Sequence, residues 1–234
     1  MTFDSASEKR EYVNAMFARI ARRYDLMNRL MTGGQDVRWR RLMVREAALP
    51  PGGQFLDIAT GTGDVAFEAL RQQPDLALVV GADFTLPMMH VGQARAAARP
   101  VHWTAADTLC LPFPSDSFDA VASGFLMRNV VDAALALAEQ RRVTRPGGRV
   151  LVLDIPRPSD TLGGRMFRFY FHRIVPRLGA LISGQPDAYG YLPRSADTFL
   201  RPSELADVME GIGLRHVRYR MLMLGTVALH VGVK

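Results

Sequence analysis

Cysteine occurs once in the 234 residues, as Cys110, and lysine twice, as Lys9 and Lys234. A single thiol excludes an intrachain disulfide and any zinc site built from several cysteines, which fits a reducing compartment. Set in the apolar run LCLPF, Cys110 is expected to be buried and inert rather than a nucleophile. With both lysines near the chain ends, Schiff-base and P-loop lysine chemistry lack an interior candidate. Long apolar runs are missing too. The most apolar segment, Met166 to Ile182, is broken by Arg168, His172, Arg173, Pro176 and Arg177, well short of the ~18 uninterrupted residues of a membrane span. The N-terminus, MTFDSASEKREY, has acids where a secretion signal needs a basic end and an apolar run, so a cytoplasmic protein is expected.

What is present is arginine, and it is unevenly placed. The net charge of +6 divides into +4 for residues 1–50, −3 for 51–156, +4 for 157–201 and +1 for 202–234. Basic flanks around an acidic middle favour an anionic partner for the flanks: a membrane surface, an acidic substrate or nucleic acid. Solvated helix faces would give the same counts.

The middle is organised around Phe55 to Asp64, FLDIATGTGD. The apolar run Gln54 to Ile58 reads as a buried strand with Asp57 near its end, and Gly61 and Gly63 allow a sharp turn into a helix starting near Asp64. The third glycine of a dinucleotide fingerprint is replaced by Ala66, and an acid precedes the turn, which points away from a pyrophosphate. A second acid, Asp83, ends the run VVGADF twenty residues after Gly63. Together these suit a ligand with a cationic amino-acid part and a ribose, as in S-adenosyl-L-methionine.

Around this turn the chain alternates. Helices are expected over Ser7 to Met31, with an apolar stripe of Tyr12, Met16, Ile20, Tyr24, Met27 and Met31, and over Asp36 to Ala48. After Pro50-Pro51-Gly52-Gly53, strands are expected at Leu76 to Asp83, Val101 to Ala106, Ser117 to Phe125 and Arg149 to Ile155, and helices at Val65 to Gln73, Pro87 to Ala98 and Val131 to Thr144. Pro146-Gly147-Gly148 is read as the stop after the last of these helices. Short loops and right-handed crossovers make this an α/β doubly wound, mostly parallel sheet. Residues 156–201 break the rhythm with aromatics, arginines, glycines and prolines, and read as a lid of short helices and mobile loops. A helix at Pro202 to Gly211 and two strands, Arg215 to Leu222 and Thr226 to Val233, close the chain.

In such a sheet ligands bind outside the carboxyl ends of the strands, and Asp57, Asp83, Asp107 and Ser123 to Asn129 all fall at strand ends. One carboxylate can accept the ribose hydroxyls, Asp107 the adenine amino group, and the glycines admit the methionine part. A metal is not expected, because the carboxylates come from different strands without a histidine at ligand spacing.

The stretches DIATGTGD, GADF, AADTLCLPFPSDSFDAV and RPGGRVLVLD resemble class I S-adenosylmethionine-dependent methyltransferases. YDLMNRLMTGGQDVRW (Tyr24 to Trp39), MRNV (Met127 to Val130), DAYGYLPRS (Asp187 to Ser195) and GTVALHVGVK (Gly225 to Lys234) are similar to one branch, the ubiquinone/menaquinone biosynthesis C-methyltransferases. The likeness runs from about Tyr12 to the end. It implies a single Rossmann-like domain over 1–234, with seven strands, an antiparallel last strand, an N-terminal helical cover over 1–50 and the lid over 156–201. It further implies C-methylation of a polyprenylated quinol, with demethylmenaquinol the leading acceptor and another phenolic or natural product the alternative.

Carried over by motif, the cofactor positions are Thr62 beside Asp57, Gly61 and Gly63; Asp83 with Phe84; and Asp107 with Thr108. Three departures stand out. Gly124 occupies a position where the family often has serine, with Ser123 one residue earlier; Asp36 stands where histidine is common; and Asp154-Ile155-Pro156 replaces Glu-x-Ser. A quinol carbon becomes nucleophilic when its phenol ionises, and the free pKa of about 10 calls for a cation or base nearby. Arg128 is expected to stabilise that oxyanion with Asn129 orienting it, and Tyr24, Asp25, His172 and Tyr189 are candidate proton acceptors or relays. A nucleic-acid partner is not expected, because SGFLMRNV replaces the Asp/Asn-Pro-Pro-aromatic loop of base amino-methylation. A non-catalytic cofactor sensor would have no use for the lid. Contact with the bilayer that holds a polyprenylated acceptor is expected through the basic flanks and Phe167, Phe169, Tyr170 and Phe171.

Overall fold

A computed structural model describes residue 3 and residues 5–95, 101–183 and 185–234. Its centre is one sheet built from β1 (Gln54–Ile58), β2 (Leu78–Asp83), β3 (His102–Ala105), β4 (Phe118–Gly124), β5 (Thr144–Asp154), β6 (Arg215–Leu222) and β7 (Val227–Val233). The seven strands run in the order β3-β2-β1-β4-β5-β7-β6. The first five are parallel, and β7 enters antiparallel between β5 and β6. The expected doubly wound sheet with its antiparallel last strand is therefore present.

Side chains along each strand alternate between two cores, as the pleat requires. One face buries Phe55, Val79, Ala120, Leu151 and Leu229 against α3 (Gln35–Ala47) and α4 (Asp64–Gln72). On the other face, Leu56, Ile58, Val80 and Val121 form one cluster, and Val150 and Val152 pack with α6 (Ala133–Val143) and α10 (Pro202–Gly211). At the β2–β3 edge lies α5 (Leu86–Gln93), and α1 (Ala6–Ile20) and α2 (Tyr24–Thr32) flank the site. Residues 96–98 of the helix expected at Pro87 to Ala98 lie outside the described residues.

The segment expected as one helix over Ser7 to Met31 is two, joined by a 3-10 turn at Ala21–Arg23. The apolar stripe survives the break: Met16, Ile20 and Met27 are buried with Tyr12, Tyr24 and Met31 packed around them. Their partners come from residues 156–201, which are more regular than expected. Helix α7 (Leu162–Phe169) continues through a π-helical turn (Tyr170–Ile174) into α8 (Val175–Ser183), and α9 (Pro186–Asp197) follows. Phe171, Val175, Tyr189 and Tyr191 join the α1–α2 stripe in a separate small core. Pro146-Gly147-Gly148 does not precede β5 but lies inside it. Thr144 already pairs with Phe118, and the register shifts between Phe118 and Ala120 as the left-handed Gly147 is accommodated. Cys110 is exposed rather than buried, because a tight turn bridging Asp107 and Cys110 aims it outward.

Gly92 on α5 shows how closely the layers approach. A Cβ there would run into the Trp103 ring of β3 and stand 2.8 Å from the carbonyl oxygen of Thr62. Gly→Ala inside a helix ordinarily gains up to about 1 kcal/mol, whereas overpacking costs roughly 1–3 kcal/mol. Gly92→Ala should therefore lower stability in denaturant titrations despite its helix propensity, and a midpoint at or above that of the parent would show that Trp103 yields.

Candidate functional site

The glycine turn is set by two buried acids. Asp57, at 1% exposure, accepts from Thr60 Oγ1 at 2.6 Å and from the Ala66 amide at 3.2 Å. Asp83 accepts from the Gly61 amide at 2.7 Å and from the Thr85 amide at 2.7 Å, one on each carboxylate oxygen. The turn between them takes left-handed conformations at Ala59, Gly61 and Gly63, which favour glycine. Gly63 has a further reason to be glycine, since an added Cβ would stand 2.6 Å from Trp103. Its role is close packing, and it does not line the cleft.

Burial dominates the charge state of both acids. It pushes Asp57 up to about 7, against hydrogen bonds that act the other way, with the nearby Asp83 charge adding to the rise. Asp83 is raised for the same first reason, opposed by its backbone donors.

These acids open into a cleft of about 160 Å³ whose walls include Asp57, Gly61, Thr62, Asp83, Phe84, Asp107, Thr108, Gly124, Asn129 and Tyr24. Most of the residues singled out in the sequence are thus brought together at the carboxyl ends of β1, β2 and β4 and the loop after β3. An added Cβ on Gly124 would meet nothing nearer than Val65 at 4.0 Å, so this wall is bare backbone. Thr108 Oγ1 and Asn129 Oδ1 are buried without a partner, while Asn129 Nδ2 donates to the Phe125 carbonyl at 2.9 Å. Unpaired buried polar atoms are costly unless a ligand satisfies them, so the donor set, bare wall and apolar lining fit a nucleoside with an amino-acid tail.

Four expected residues sit differently. Ser123 is fully buried beside Gln140 of α6, 3.4 Å away, and does not line the cleft. Arg128 lies behind the wall: its guanidinium pairs with the buried Asp154 and donates to the Phe125 carbonyl at 3.1 Å, leaving Nε buried without a partner. Asp25 stands outside the lining and accepts from Thr62 Oγ1 at 2.7 Å, which makes it an anchor of the turn. His172 pairs with Asp197 at 2.8 Å on the lid. Tyr24 reaches the cleft, and burial raises its phenol, opposed by Asn28 and the Arg40 and Arg128 charges.

Sequence reasoning missed the cover's polar contribution. Arg10 of α1 pairs with Asp107 at 3.1 Å and lies over the Phe84 ring at 5.5 Å, so the third acid is already engaged by the cover. Lys9 donates to the Val130 carbonyl at 2.7 Å, and burial lowers its pKa. Asn14 and Phe17 of the same helix line the cleft. Behind them, Arg40 links Asp36 and Asp64, and Arg95 binds Asp64 at 2.7 Å, the Thr62 carbonyl at 2.9 Å and Asp25 at 3.4 Å. Burial alone would raise Asp64, but Arg40, Arg95 and Arg29 outweigh it and hold the carboxyl below its ordinary value. Only the clustering of Asp25, Arg29, Asp36 and Arg40 hinted at this network, and charge spacing does not reveal which partners meet.

Known proteins resemble the chain over almost its whole length. A model of the ubiE/COQ5 methyltransferase family matches residues 5–234. Demethylmenaquinone methyltransferase of Roseiflexus castenholzii is 47% identical over 227 residues, 97% of this chain and 95% of that protein. The enzyme of the same name from Thermus thermophilus is 47% identical over 219 residues, 93% and 99% of the two chains. The ubiquinone/menaquinone biosynthesis C-methyltransferase of Geobacter sulfurreducens is 40% identical over all of this chain and 93% of its own. Among solved structures, an S-adenosylmethionine-dependent methyltransferase from Thermotoga maritima superimposes with a TM-score of 0.64 at 19% identity, covering 95% of this chain and 99% of that one. That likeness is one of fold.

Asp57 gives the site a pH signature. Its folded-state value, about 7, lies above the ordinary 3.8, so folding takes up a proton between these values. The stabilisation is complete below pH 4 and is lost as pH rises through 7, with a slope of up to about 1.4 kcal/mol per pH unit. Asp57→Asn removes this term. Denaturant titrations of both proteins should show the stability difference drifting in favour of the variant between about pH 4 and 7 and flat above; parallel curves would mean that Asp57 stays ionised in the fold.

Proposed function

Because the chain belongs to the ubiE/COQ5 methyltransferase family, we propose that it C-methylates a polyprenylated quinol with S-adenosyl-L-methionine, demethylmenaquinol being the acceptor and menaquinol the product. The observation that carries this reading is the single cleft in which the acid-braced glycine turn, the bare Gly124 wall and the unpaired Thr108 and Asn129 oxygens meet the buried phenol of Tyr24. Residues 1–50 form its cover and 156–201 its lid, in one domain.

When bound, the cofactor supplies a methyl group already activated on a sulfonium, so the protein's task is alignment and exclusion of water. Asp83 takes the ribose hydroxyls while the Gly61 amide stays on it and holds the turn. Asp107 must leave Arg10 to receive the adenine amino group, and Thr108 lies beside it. Thr62, steadied by Asp25, and the Gly61 backbone hold the methionine part. Arg128, paired with Asp154 behind the cleft wall, has to turn from that pair to bring a guanidinium N–H to the developing phenolate, and Asn129, fixed by Phe125, takes the neighbouring hydroxyl. Tyr24, its phenol raised by burial, is a hydrogen-bond donor at neutral pH and not a base. The methyl group would pass from the sulfonium, left as a neutral thioether, to the ring carbon, and the proton that this carbon gives up would go to solvent, restoring the aromatic quinol.

No helix among the described residues is long and apolar enough to cross a membrane. With an acceptor anchored by its polyprenyl tail, the enzyme works as a peripheral protein on the cytoplasmic face of the membrane.

Labelled cofactor offered with demethylmenaquinol, demethylated benzoquinols and simple phenols tests the acceptor. Label should enter a ring carbon of demethylmenaquinol fastest, and transfer to a phenolic oxygen or preference for tail-less phenols would refute the reading. For Arg128, substitution by alanine would strand a buried Asp154, so lysine is the better probe. Arg128→Lys should lower kcat by about 10²-fold with cofactor affinity unchanged, as loss of an oxyanion donor does, and higher pH should restore part of the rate. Full turnover in that variant would remove Arg128 from the chemistry.

A further inference from the structure

The helical lid has two faces of opposite character. Inward, Phe171 and Val175 are buried against α1 and α2, whose Val13, Phe17 and Tyr24 also wall the cleft. Outward, Leu162, Met166 and Phe169 of α7 and Leu181 of α8 are exposed at 73, 66, 64 and 84%. Positions 162, 166 and 169 fall on one helical stripe, being four and three residues apart. Single exposed leucines are ordinary, but an ordered apolar stripe marks a surface that meets something.

The expected insertion residues are only partly on this face. Phe167 stacks on Phe171 with ring centroids 5.0 Å apart, and Tyr170 donates to the Met31 carbonyl at 2.8 Å, so both face inward with Phe171. Phe169 alone of the four points out, and Leu162, Met166 and Leu181 take the other places.

The charge pattern selects the partner. Leu162–Ser183 contains four arginines and no acidic residue. Arg168 pairs with Asp160 at 3.4 Å, whereas Arg165, Arg173 and Arg177 are exposed beside the stripe without a described carboxylate to pair with. A second copy meeting this face about a two-fold axis would set arginines against arginines. An anionic lipid surface offers both a layer for the apolar side chains and phosphates for the guanidiniums.

We propose that the outer face of α7 and α8 docks on an anionic phospholipid surface, Leu162, Met166, Phe169 and Leu181 entering the headgroup boundary with Arg165, Arg173 and Arg177 against lipid phosphates. The assignment rests on the reading of a bilayer-held acceptor, and it leaves the cleft about one helix diameter, roughly 10 Å, from the lipid.

Co-sedimentation with vesicles tests it, using phosphatidylcholine alone and with phosphatidylglycerol. The protein should bind the phosphatidylglycerol vesicles at low salt, weaken as salt rises, and bind phosphatidylcholine poorly. Phe169→Glu/Leu181→Glu and, separately, Arg165→Glu/Arg173→Glu should each reduce binding at least about 10-fold. Helical content, cofactor affinity and methyl transfer to a short-chain acceptor in solution should stay at parental values. Parental vesicle binding in both variants, no binding of the parent at low salt, or a parental dimer that Phe169→Glu/Leu181→Glu splits would overturn the surface. Failure of every quinol in the solution assay would instead count against the acceptor reading, since vesicle binding is read separately.

Discussion

Arg40 stands between two carboxylates that belong to different parts of the chain. Asp36 lies one turn before it on α3, and Asp64 opens the helix that follows the glycine turn. All three side chains are nearly withdrawn from water, where leaving one partner without the others costs on the order of 3–5 kcal/mol. The cover cannot shift relative to the turn without breaking that set. Arg29 and Arg95 extend it to α2 and to the end of α5, so the cover and the glycine turn are fastened at one point.

Acids at the strand ends serve the protein before they serve a ligand. Asp57 faces the α3–α4 side of the sheet at the level of Gly81 in the adjacent strand, where Thr60 fits over the missing side chain. Asp83 holds the first amide of the turn from the neighbouring strand. Parallel pairing sets Asp83 on the same face of the sheet as Asp57 and two residues further along, and the backbone donors around them offset part of the desolvation. A carboxylate already ordered in this way gives up little conformational freedom when a ligand hydroxyl arrives.

The sheet was legible because continuous apolar runs ending in acids, separated by glycine and proline stops, leave little choice of topology. The apolar stripe Met16, Ile20 and Met27 was legible from its helical spacing, even though a 3-10 turn divides its helix. Arg128 was read by its neighbourhood in MRNV, but sequence does not show a side chain turning to a partner twenty-six residues away, here Asp154. Ser123 illustrates the parity of a strand: one residue before the bare Gly124, it points into α6 instead of the cleft. Cys110 was misjudged because apolar neighbours were taken to fix its burial, whereas a tight turn decides direction residue by residue. The Arg10–Asp107 contact joins segments ninety-seven residues apart and left no local trace.

The π-helical turn at Tyr170–Ile174 sets the rotational phase between α7 and α8. Adding or removing one residue in an α-helix rotates everything beyond it by about 100°. A single deletion in this turn would carry Val175 about 100° off the inner core and turn Pro176 into its place, so that α8 would meet α1 and α2 with the wrong side chains while α7 stayed as it is. The length of this short segment is thus constrained as tightly as its composition, and homologous helices should differ here by whole turns or not at all.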